Sequence, residues 1–292
     1  MGLSPFYRKE LTMTRKHALQ EFGQELHISH NQIFTYLSCS LKYRYQYVEG
    51  RPVERKSVAL PFGTAIHSAL EMYYRKLQKT GQPEPVEALV ERFTETLILD
   101  LDQTKVPVLY KKDTPDKQAT VDMGVAMLKA FYEQCTIRPE QIVDVELPLS
   151  ARLYTDDKQE TEFLLVGIID LLVKDDDSLI VVDNKTAAKP MAQNTADDNH
   201  QMTAYSYLLA ANQYVFPTAD VNCRFDILRK LKTPKLEQVT TIRTADNRRR
   251  FAKTASAVLS AIDAGIYIPQ PSWMCADCAY SKACKGWHLS GK

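Results

Sequence analysis

Two aspartates and a lysine interrupt the apolar segment LLVGIIDLLVKDDDSLIVVDNKTAAKP, residues 164–190. Asp170 lies in the first of two runs rich in Val, Ile and Leu, and Asp183 and Lys185 lie in the second. These runs are typical of two strands, and KDDDS supplies turn residues between them. Because burying a carboxylate without a partner is costly, these positions indicate chemistry rather than packing.

The predicted hairpin brings the two carboxylates together. If its turn is centred between Asp176 and Asp177, antiparallel pairing places Asp170 opposite Asp183, with their Cβ atoms about 4.5–5.5 Å apart. Lys185 then projects from the same face. Such carboxylates can share a hard divalent cation, and a neighbouring lysine can polarise water or stabilise charge on a phosphate. The alternative is a solvated edge hairpin, because a one-residue slip separates the pair.

A second candidate site consists of cysteines. Cys275, Cys278 and Cys284, in WMCADCAYSKACKGW, are spaced closely enough to surround one metal centre. Three thiolates need a fourth ligand, and Cys39 in LSCSLKYRYQY is the candidate. The spacing leaves iron–sulfur and zinc open, because four sulfur ligands suit either centre.

The elements that must position these residues follow from hydrophobic spacing. Three-to-four spacing dominates the first half, and apolar strand-like runs follow. This order predicts an α/β fold, with a central sheet wrapped by helices and a helical N-terminal region forming a lobe of its own. The predicted helices span 30–48, 62–79, 86–102, 117–136, 196–214 and 246–264, and the strands 142–150, 162–174, 178–184, 221–231 and 236–243.

Composition limits the number of domains and the kinds of partner that the chain can have. With 292 residues, 45% of them hydrophobic, the chain can bury a large core in one or two domains. The net charge of +1 gives no global basic field, although 224–235 and 248–253 are locally basic.

The N-terminus MGLSPFYRKELTMTRKHALQ lacks the apolar core of a secretory signal, and no apolar run reaches the ~18 residues of a membrane span. We therefore predict a soluble cytoplasmic protein with no membrane partner. In a reducing compartment its six cysteines are expected to be metal ligands or core residues, the latter for Cys135 and Cys223.

GIID followed by VVDNKT resembles the core of the PD-(D/E)XK nucleases, and more narrowly their RecB-type branch. There a GxIDLL strand precedes a (D/E)xK strand, and the fold has a restriction-endonuclease-like mixed central sheet flanked by helices. The resemblance implies that Asp170, Asp183 and Lys185 are catalytic. The residue before the lysine is often aromatic in relatives and is Asn184 here; its backbone carbonyl is the implied metal contact.

Three further motifs carry the same resemblance. FGTAIHSALE matches the branch's upstream histidine, which implies that His67 is a metal ligand, although a lone helical histidine is usually structural. VELPL places Glu146 where relatives often have a glutamate near the site. HQMTAYSYLL matches a QxxxY motif: Gln201 and Tyr205 share one helix face, suited to contacting DNA or orienting catalytic groups. Taken alone, that aromatic face is typical of a packed core.

The cysteines resemble the iron–sulfur module of RecB-type nucleases, found in AddB subunits and CRISPR-associated adaptation nucleases. The resemblance implies a 4Fe-4S cluster bound by Cys39, Cys275, Cys278 and Cys284, with zinc as the alternative. Such a centre closes a very long loop. The implied division is a 1–27 extension, a 28–140 helical region containing Cys39 and His67, a 141–268 nuclease core and a 269–292 cysteine module.

These observations predict a DNA nuclease that uses magnesium or manganese bound by His67, Asp170, Asp183 and the Asn184 carbonyl. We expect a single-strand exonuclease of recombination, repair or phage-type DNA processing, with the basic segments following the DNA backbone. The alternatives are a CRISPR adaptation nuclease that trims spacer precursors, a non-catalytic iron–sulfur DNA-binding scaffold, and a zinc-stapled enzyme for another phosphate ester. No GxxxxGK[ST] motif occurs, so a helicase or integration-complex partner would supply any motor.

Overall fold

A computed structural model describes residues 26–154, 160–176 and 178–289. The predicted 1–27 extension lies outside the described residues except for its last two. The strands are β1 (His27–Ser29), β2 (Lys56–Ser57), β3 (Val108–Leu109), β4 (Ile142–Tyr154), β5 (Glu160–Asp175), β6 (Ser178–Ala187), β7 (Val221–Arg229) and β8 (Lys235–Arg243). The α-helices are α1 (His30–Ser38), α2 (Ser40–Tyr43), α3 (Ala59–Thr80), α4 (Val86–Gln103), α5 (Lys117–Gln134), α6 (Gln193–Asp197), α7 (His200–Ala211), α8 (Ala245–Asp263) and α9 (Ser281–Lys285).

Within the described residues, six strands form one mixed sheet. Along one path the order is β1-β5-β6-β7-β8, and β4 pairs with the other edge of β5. The β4–β5, β5–β6 and β7–β8 pairs are antiparallel, whereas β1–β5 and β6–β7 are parallel. The parallel β6–β7 pair requires a crossover, which α6 and α7 supply. The predicted mixed sheet flanked by helices is confirmed.

Helices cover both faces of this sheet. One hydrophobic cluster joins α1, α7 and α8 to the sheet, with Ile33, Leu208 and Phe251 among its buried members. The other joins α3, α4 and α5 to the opposite face, with Phe93 and Phe131 fully buried. Each cluster therefore combines residues from before and after position 140, and the helices of the N-terminal region form part of the layers around the sheet.

The predicted helices and strands agree with the structure except at a few points. The helix expected over 30–48 is interrupted at Cys39, whose φ of −167° and ψ of 101° are extended. The helix expected over 196–214 is two helices that meet at Asp198 and Asn199, and Asn199 caps the second by accepting from the Met202 backbone N–H. The three-residue strand β1 was not predicted. None of the described helices combines the length and apolar character needed to cross a bilayer.

Candidate active site and cysteine cluster

A gap opens along one edge of β5, at the centre of the sheet. β6 pairs with β5 only between Leu171 and Asp175, and β1 pairs with it only between residues 164 and 166. Since β4 runs along the opposite edge, residues 167–170 have no strand partner on the β6 side among the described residues. The strands separate at the sequence GIID.

Three carboxylates lie on one row that crosses the sheet at this gap. Glu146 of β4 is opposite Asp170 in the register set by the pairs on either side. Asp183 follows next in register after the pair Leu171–Val182. The predicted hairpin register is confirmed up to this row, where the ladder stops. Facing carboxylates repel one another, so regular pairing of the two strands across this row is unfavourable.

The backbone at Glu146 has an unusual conformation for a strand. Its φ is +51°, in the left-handed region that non-glycine residues adopt rarely. The side chain is only 9% exposed. One oxygen of Glu146, one nitrogen of His67 and one oxygen of Asp170 all lie within 4.8 Å of one another. Strain of this kind persists where the surroundings over-determine it, and it is concentrated at functional sites.

His67 reaches this row from α3, the helix that packs on one face of the sheet. Its Nδ1 lies 3.3 Å from Asp170 Oδ2. The backbone N–H of Asn184 donates to the same carboxylate oxygen at 2.9 Å, which fixes the orientation of Asp170. Carboxylates and an imidazole grouped at this separation fit a divalent cation such as magnesium or manganese.

Asp183 is the most deeply buried carboxylate of the row, with no exposed surface. Burial is the main cause that raises its pKa; Lys185 opposes this effect, and the charge of Asp170 adds to it. Lys185 Nζ lies 2.6 Å from Asp183 Oδ2. Neither Asp183 oxygen accepts a hydrogen bond of normal geometry from the described residues. A cation at this point would compensate both the burial and the repulsion from Asp170.

Lys185 is held in place by a chain of hydrogen bonds from α7. Its Nζ donates to Gln201 Oε1 at 2.8 Å, and Gln201 Nε2 donates to the Tyr205 hydroxyl at 2.9 Å. Tyr205 is only 2% exposed and lies edge-to-face against His30. Because the ring of Tyr205 is covered, the geometry favours the second of its two predicted roles, orienting Lys185, over direct contact with DNA.

Gly167, the glycine of GIID, has a role that the motif match did not reveal. A Cβ at this position would lie 2.9 Å from Leu208 Cδ1 and 3.3 Å from Tyr205 Cε1. Glycine therefore lets α7 pack close to β5, which brings Gln201 within reach of Lys185. A glycine inside a strand often marks such a close approach, and this signal was available in the sequence.

The four predicted cysteine ligands lie near one another. One comes from near the N-terminus of the chain and three come from near its C-terminus. Burial raises the pKa of Cys284, and the proximity of Cys39, Cys278 and Cys275 adds to the effect. Cys39 occupies the extended break between α1 and α2, and its neighbourhood is packed by Leu41, Tyr45 and Tyr280. Thiols concentrated in this way fit a thiophilic metal centre.

Hydrogen bonds bind the C-terminal segment to the N-terminal helices around these cysteines. The Glu54 carboxylate accepts from the backbone N–H groups of Lys282 at 2.8 Å and Ala283 at 2.9 Å. The Leu41 N–H donates to the Ile268 carbonyl at 3.1 Å. The C-terminal segment is thus attached to α2 and to the loop that contains Glu54.

The basic segments are used differently from the prediction. Arg229 and Arg248 are each only 5% exposed. Arg248 donates to Ser206 Oγ and to backbone carbonyls, and Arg229 pairs with Glu237. The prediction that these segments follow a DNA backbone is therefore wrong for both arginines, which satisfy buried polar groups. Arg250 and Lys253 of α8 remain exposed.

Comparisons with known proteins bear on the fold and on the family of this chain. Among solved structures, a proposed exonuclease from Eubacterium rectale superimposes with a TM-score of 0.56 at 10% identity, over 97% of this chain and 96% of that chain. At this identity the likeness shows the fold alone. The structure of SSO0001, 11% identical, covers 84% and 93% with a TM-score of 0.33, too low to support an argument.

No curated protein sequence matches the chain. The family model that describes the PD-(D/E)XK nuclease superfamily matches residues 27–285, from β1 to the end of α9. The matched range includes the three-carboxylate row, Lys185 and all four clustered cysteines. This chain belongs to the PD-(D/E)XK nuclease superfamily.

Proposed function

We propose that the chain is a magnesium- or manganese-dependent deoxyribonuclease that degrades single-stranded DNA from an end, in recombination, repair or phage-type DNA processing. The observation that carries the proposal is the row of Glu146, Asp170 and Asp183 at the gap in the sheet, with Lys185 held beside it. Nucleases of this superfamily use divalent metals, and the donor set at the gap fits one. The similar Eubacterium rectale protein is itself a proposed exonuclease, which supports the choice of an end-directed activity.

In this proposal His67, Asp170, Asp183 and the Asn184 carbonyl are the metal ligands, and Glu146 supports them. When bound, the metal polarises the scissile phosphate and acidifies a water for attack. Gln201 keeps the Lys185 ammonium directed at the site through the 2.8 Å hydrogen bond. Lys185 then stabilises negative charge as it develops on the attacked phosphate. The half-exposed position of Lys185, with 34% of its side chain accessible, leaves it reachable by a strand of DNA.

We further propose that Cys39, Cys275, Cys278 and Cys284 bind a 4Fe-4S cluster, as the resemblance to the RecB-type branch implies. Zinc bound by the same four thiolates is the alternative, because four sulfur ligands suit either centre. Iron and sulfide analysis of the anaerobically purified protein distinguishes the two.

Cleavage of DNA by anaerobically purified full-length protein tests the proposal. Linear and circular single strands and a linear duplex are each incubated with magnesium, manganese or EDTA. Wild type is expected to degrade the linear single strand with either metal and not with EDTA, and to spare the circle. Lys185→Ala is expected to abolish cleavage and leave the fold intact, as seen by circular dichroism.

Three results would count against the assignment. Cleavage of the circular single strand would show that the protein is an endonuclease and not an exonuclease. A Lys185→Ala protein that cleaves as fast as wild type would remove Lys185 from the site. If folded wild type binds DNA but never cleaves it, a scaffold role takes the place of the enzyme.

A further inference from the structure

A groove of about 530 Å³ lies between α1 and the N-terminal ends of α6 and α7. One wall is α1, and the other is formed by the turn that joins α6 to α7. Its lining includes His30, Asn31, Phe34, Asn194, His200 and Gln201.

This groove adjoins the candidate active centre. Gln201 lines it and also accepts the hydrogen bond from Lys185. His30 lines it and stacks edge-to-face on Tyr205, with 5.7 Å between ring centroids. His30 directly follows β1, the short strand that bounds the gap in the sheet. These contacts place the groove beside Lys185 and the gap in the sheet.

The chemistry of the lining suits a nucleobase rather than a phosphate. Phe34 is 50% exposed and lines the groove, so part of its ring is accessible to a ligand there. Asn31 and Asn194 offer amide donors and acceptors on either side. No lysine or arginine is among the lining residues, and Asp198 adds a carboxylate that would repel a phosphate. Aromatic faces with nearby amides are the usual means of binding unstacked bases.

Positive charge lies beside this groove rather than in it. Arg250 and Lys253 of α8 line a neighbouring hollow of about 490 Å³ with Leu37 of α1. Arg250 is near enough to His200 to contribute, after burial, to lowering the pKa of that imidazole. Helix α1 thus presents the ring of Phe34 to the groove, and its other side borders the cationic surface of Arg250 and Lys253. A single strand of DNA has its bases on one side and its phosphates on the other, so it suits this arrangement.

We propose that the groove is a base-binding subsite, in which the base next to the scissile phosphate stacks on Phe34 while the sugar–phosphate backbone passes Arg250 and Lys253. This inference rests on the proposed nuclease function and specifies how that site selects single strands. In a duplex the base is paired and stacked, so it is not available to Phe34.

The test measures binding of a fluorescein-labelled single-stranded oligodeoxynucleotide to full-length protein by anisotropy, in EDTA so that the strand stays intact. Phe34→Ala is expected to weaken binding about ten-fold, the loss typical of one base–aromatic stack, and Phe34→Trp to restore it. With magnesium, kcat/KM is expected to fall about as much while kcat at saturation changes little, because the lost contact is a binding contact.

Phe216→Ala is the matched control. Phe216 is 82% exposed and lies beyond the far end of α7, a helix about 18 Å long, so the same substitution there removes no contact with the strand. Phe216→Ala is expected to bind and cleave as wild type does.

A series of oligonucleotides, each with one abasic position, locates the contact. Wild type is expected to lose affinity at one position next to the cleaved bond, and Phe34→Ala to show no further loss there, because the two changes remove the same stack. If folded Phe34→Ala binds as wild type does, or keeps the abasic penalty, the subsite is wrong while the nuclease stands. If wild type neither binds nor cleaves DNA, the proposed function fails and the subsite with it.

Discussion

The carboxylate row and the cysteine cluster are built in opposite ways. Asp170 and Asp183 belong to consecutive strands, and their separation follows from the register of one hairpin. Cys39 and Cys284 come from opposite ends of the described chain, and their approach depends on α2 and the C-terminal segment packing together. The two aspartates of the first region are close in sequence, and without a cation their carboxylates repel each other. The second is distant in sequence and joins segments that otherwise share a small apolar cluster and a set of hydrogen bonds.

The difference predicts which property each region controls. Removing a buried carboxylate from the row relieves repulsion, so it should affect catalysis and leave the fold as stable as before or more so. Removing a cysteine opens a loop that spans most of the chain, so it should affect stability first. Substitutions that reverse this pattern would show that the two regions are not the separate catalytic and structural centres described above.

The largest effect is expected for Asp183→Asn. Loss of a metal-binding carboxylate should slow DNA cleavage by on the order of 10³-fold, equivalent to about 4 kcal/mol of transition-state stabilisation. The free energy of unfolding should stay the same or rise, because a buried charge facing Asp170 is removed. Cleavage rates and urea unfolding of the same preparation measure both. A variant that cleaves normally, or that unfolds much more easily, contradicts the assignment.

Cys284→Ser is expected to show the opposite pattern. Loss of one cluster ligand should release the metal centre and lower the free energy of unfolding by about 2–4 kcal/mol, the range typical of cross-links that close long loops. Iron and sulfide analysis, visible absorbance and thermal unfolding follow the change. Cys135→Ser is the control, because Cys135 lies away from the cluster, near the hydroxyl of Tyr74. Equal metal content in the two variants would exclude Cys284 as a ligand.

A smaller effect is expected where the fold positions Lys185, the proposed catalytic lysine. Gln201→Ala removes the acceptor of the Lys185 hydrogen bond and should lower kcat by about 10–100-fold, the usual loss for a group that orients a functional side chain. Tyr205→Phe removes only the next bond in the chain and should lower kcat by about 2–10-fold. Single-turnover rates at saturating DNA measure both. A larger loss for Tyr205→Phe than for Gln201→Ala would contradict the proposed order of contacts.

The smallest effect is expected for Gly167→Ala. The added methyl group meets Leu208 and Tyr205, so α7 must shift, at a cost of about 1–2 kcal/mol of unfolding free energy. Cleavage should fall as well, since Gln201 moves with the helix. Gly63→Ala is the control: a Cβ there meets nothing within 4 Å, and alanine should stabilise α3 by up to about 1 kcal/mol. Similar changes in both variants would mean that close packing at Gly167 is unimportant.

The local pattern of the sequence was sufficient for much of the fold. Helix and strand bounds follow from the hydrophobic period, and the hairpin register follows from the turn that KDDDS predicts. Three features could not be predicted from the sequence. Strand β1 has only three residues, too few for a periodic signal. The left-handed backbone at Glu146 depends on the strands around it. The burial of Arg229 and Arg248 depends on which carbonyls and carboxylates the folded chain leaves for them to bind.

The sequence by itself determined the residue types that can do chemistry, and it determined that Asp170 and Asp183 would be neighbours, because strand pairing is fixed by turn position and alternation. The family resemblance implied that His67 and Glu146 lie near this pair. Only the tertiary structure decided that Gln201 holds Lys185 and that α1 places Phe34 beside the site. Those contacts join elements far apart in the chain. Their geometry is set by how helices pack on the two faces of the sheet, and no short stretch of sequence encodes that packing.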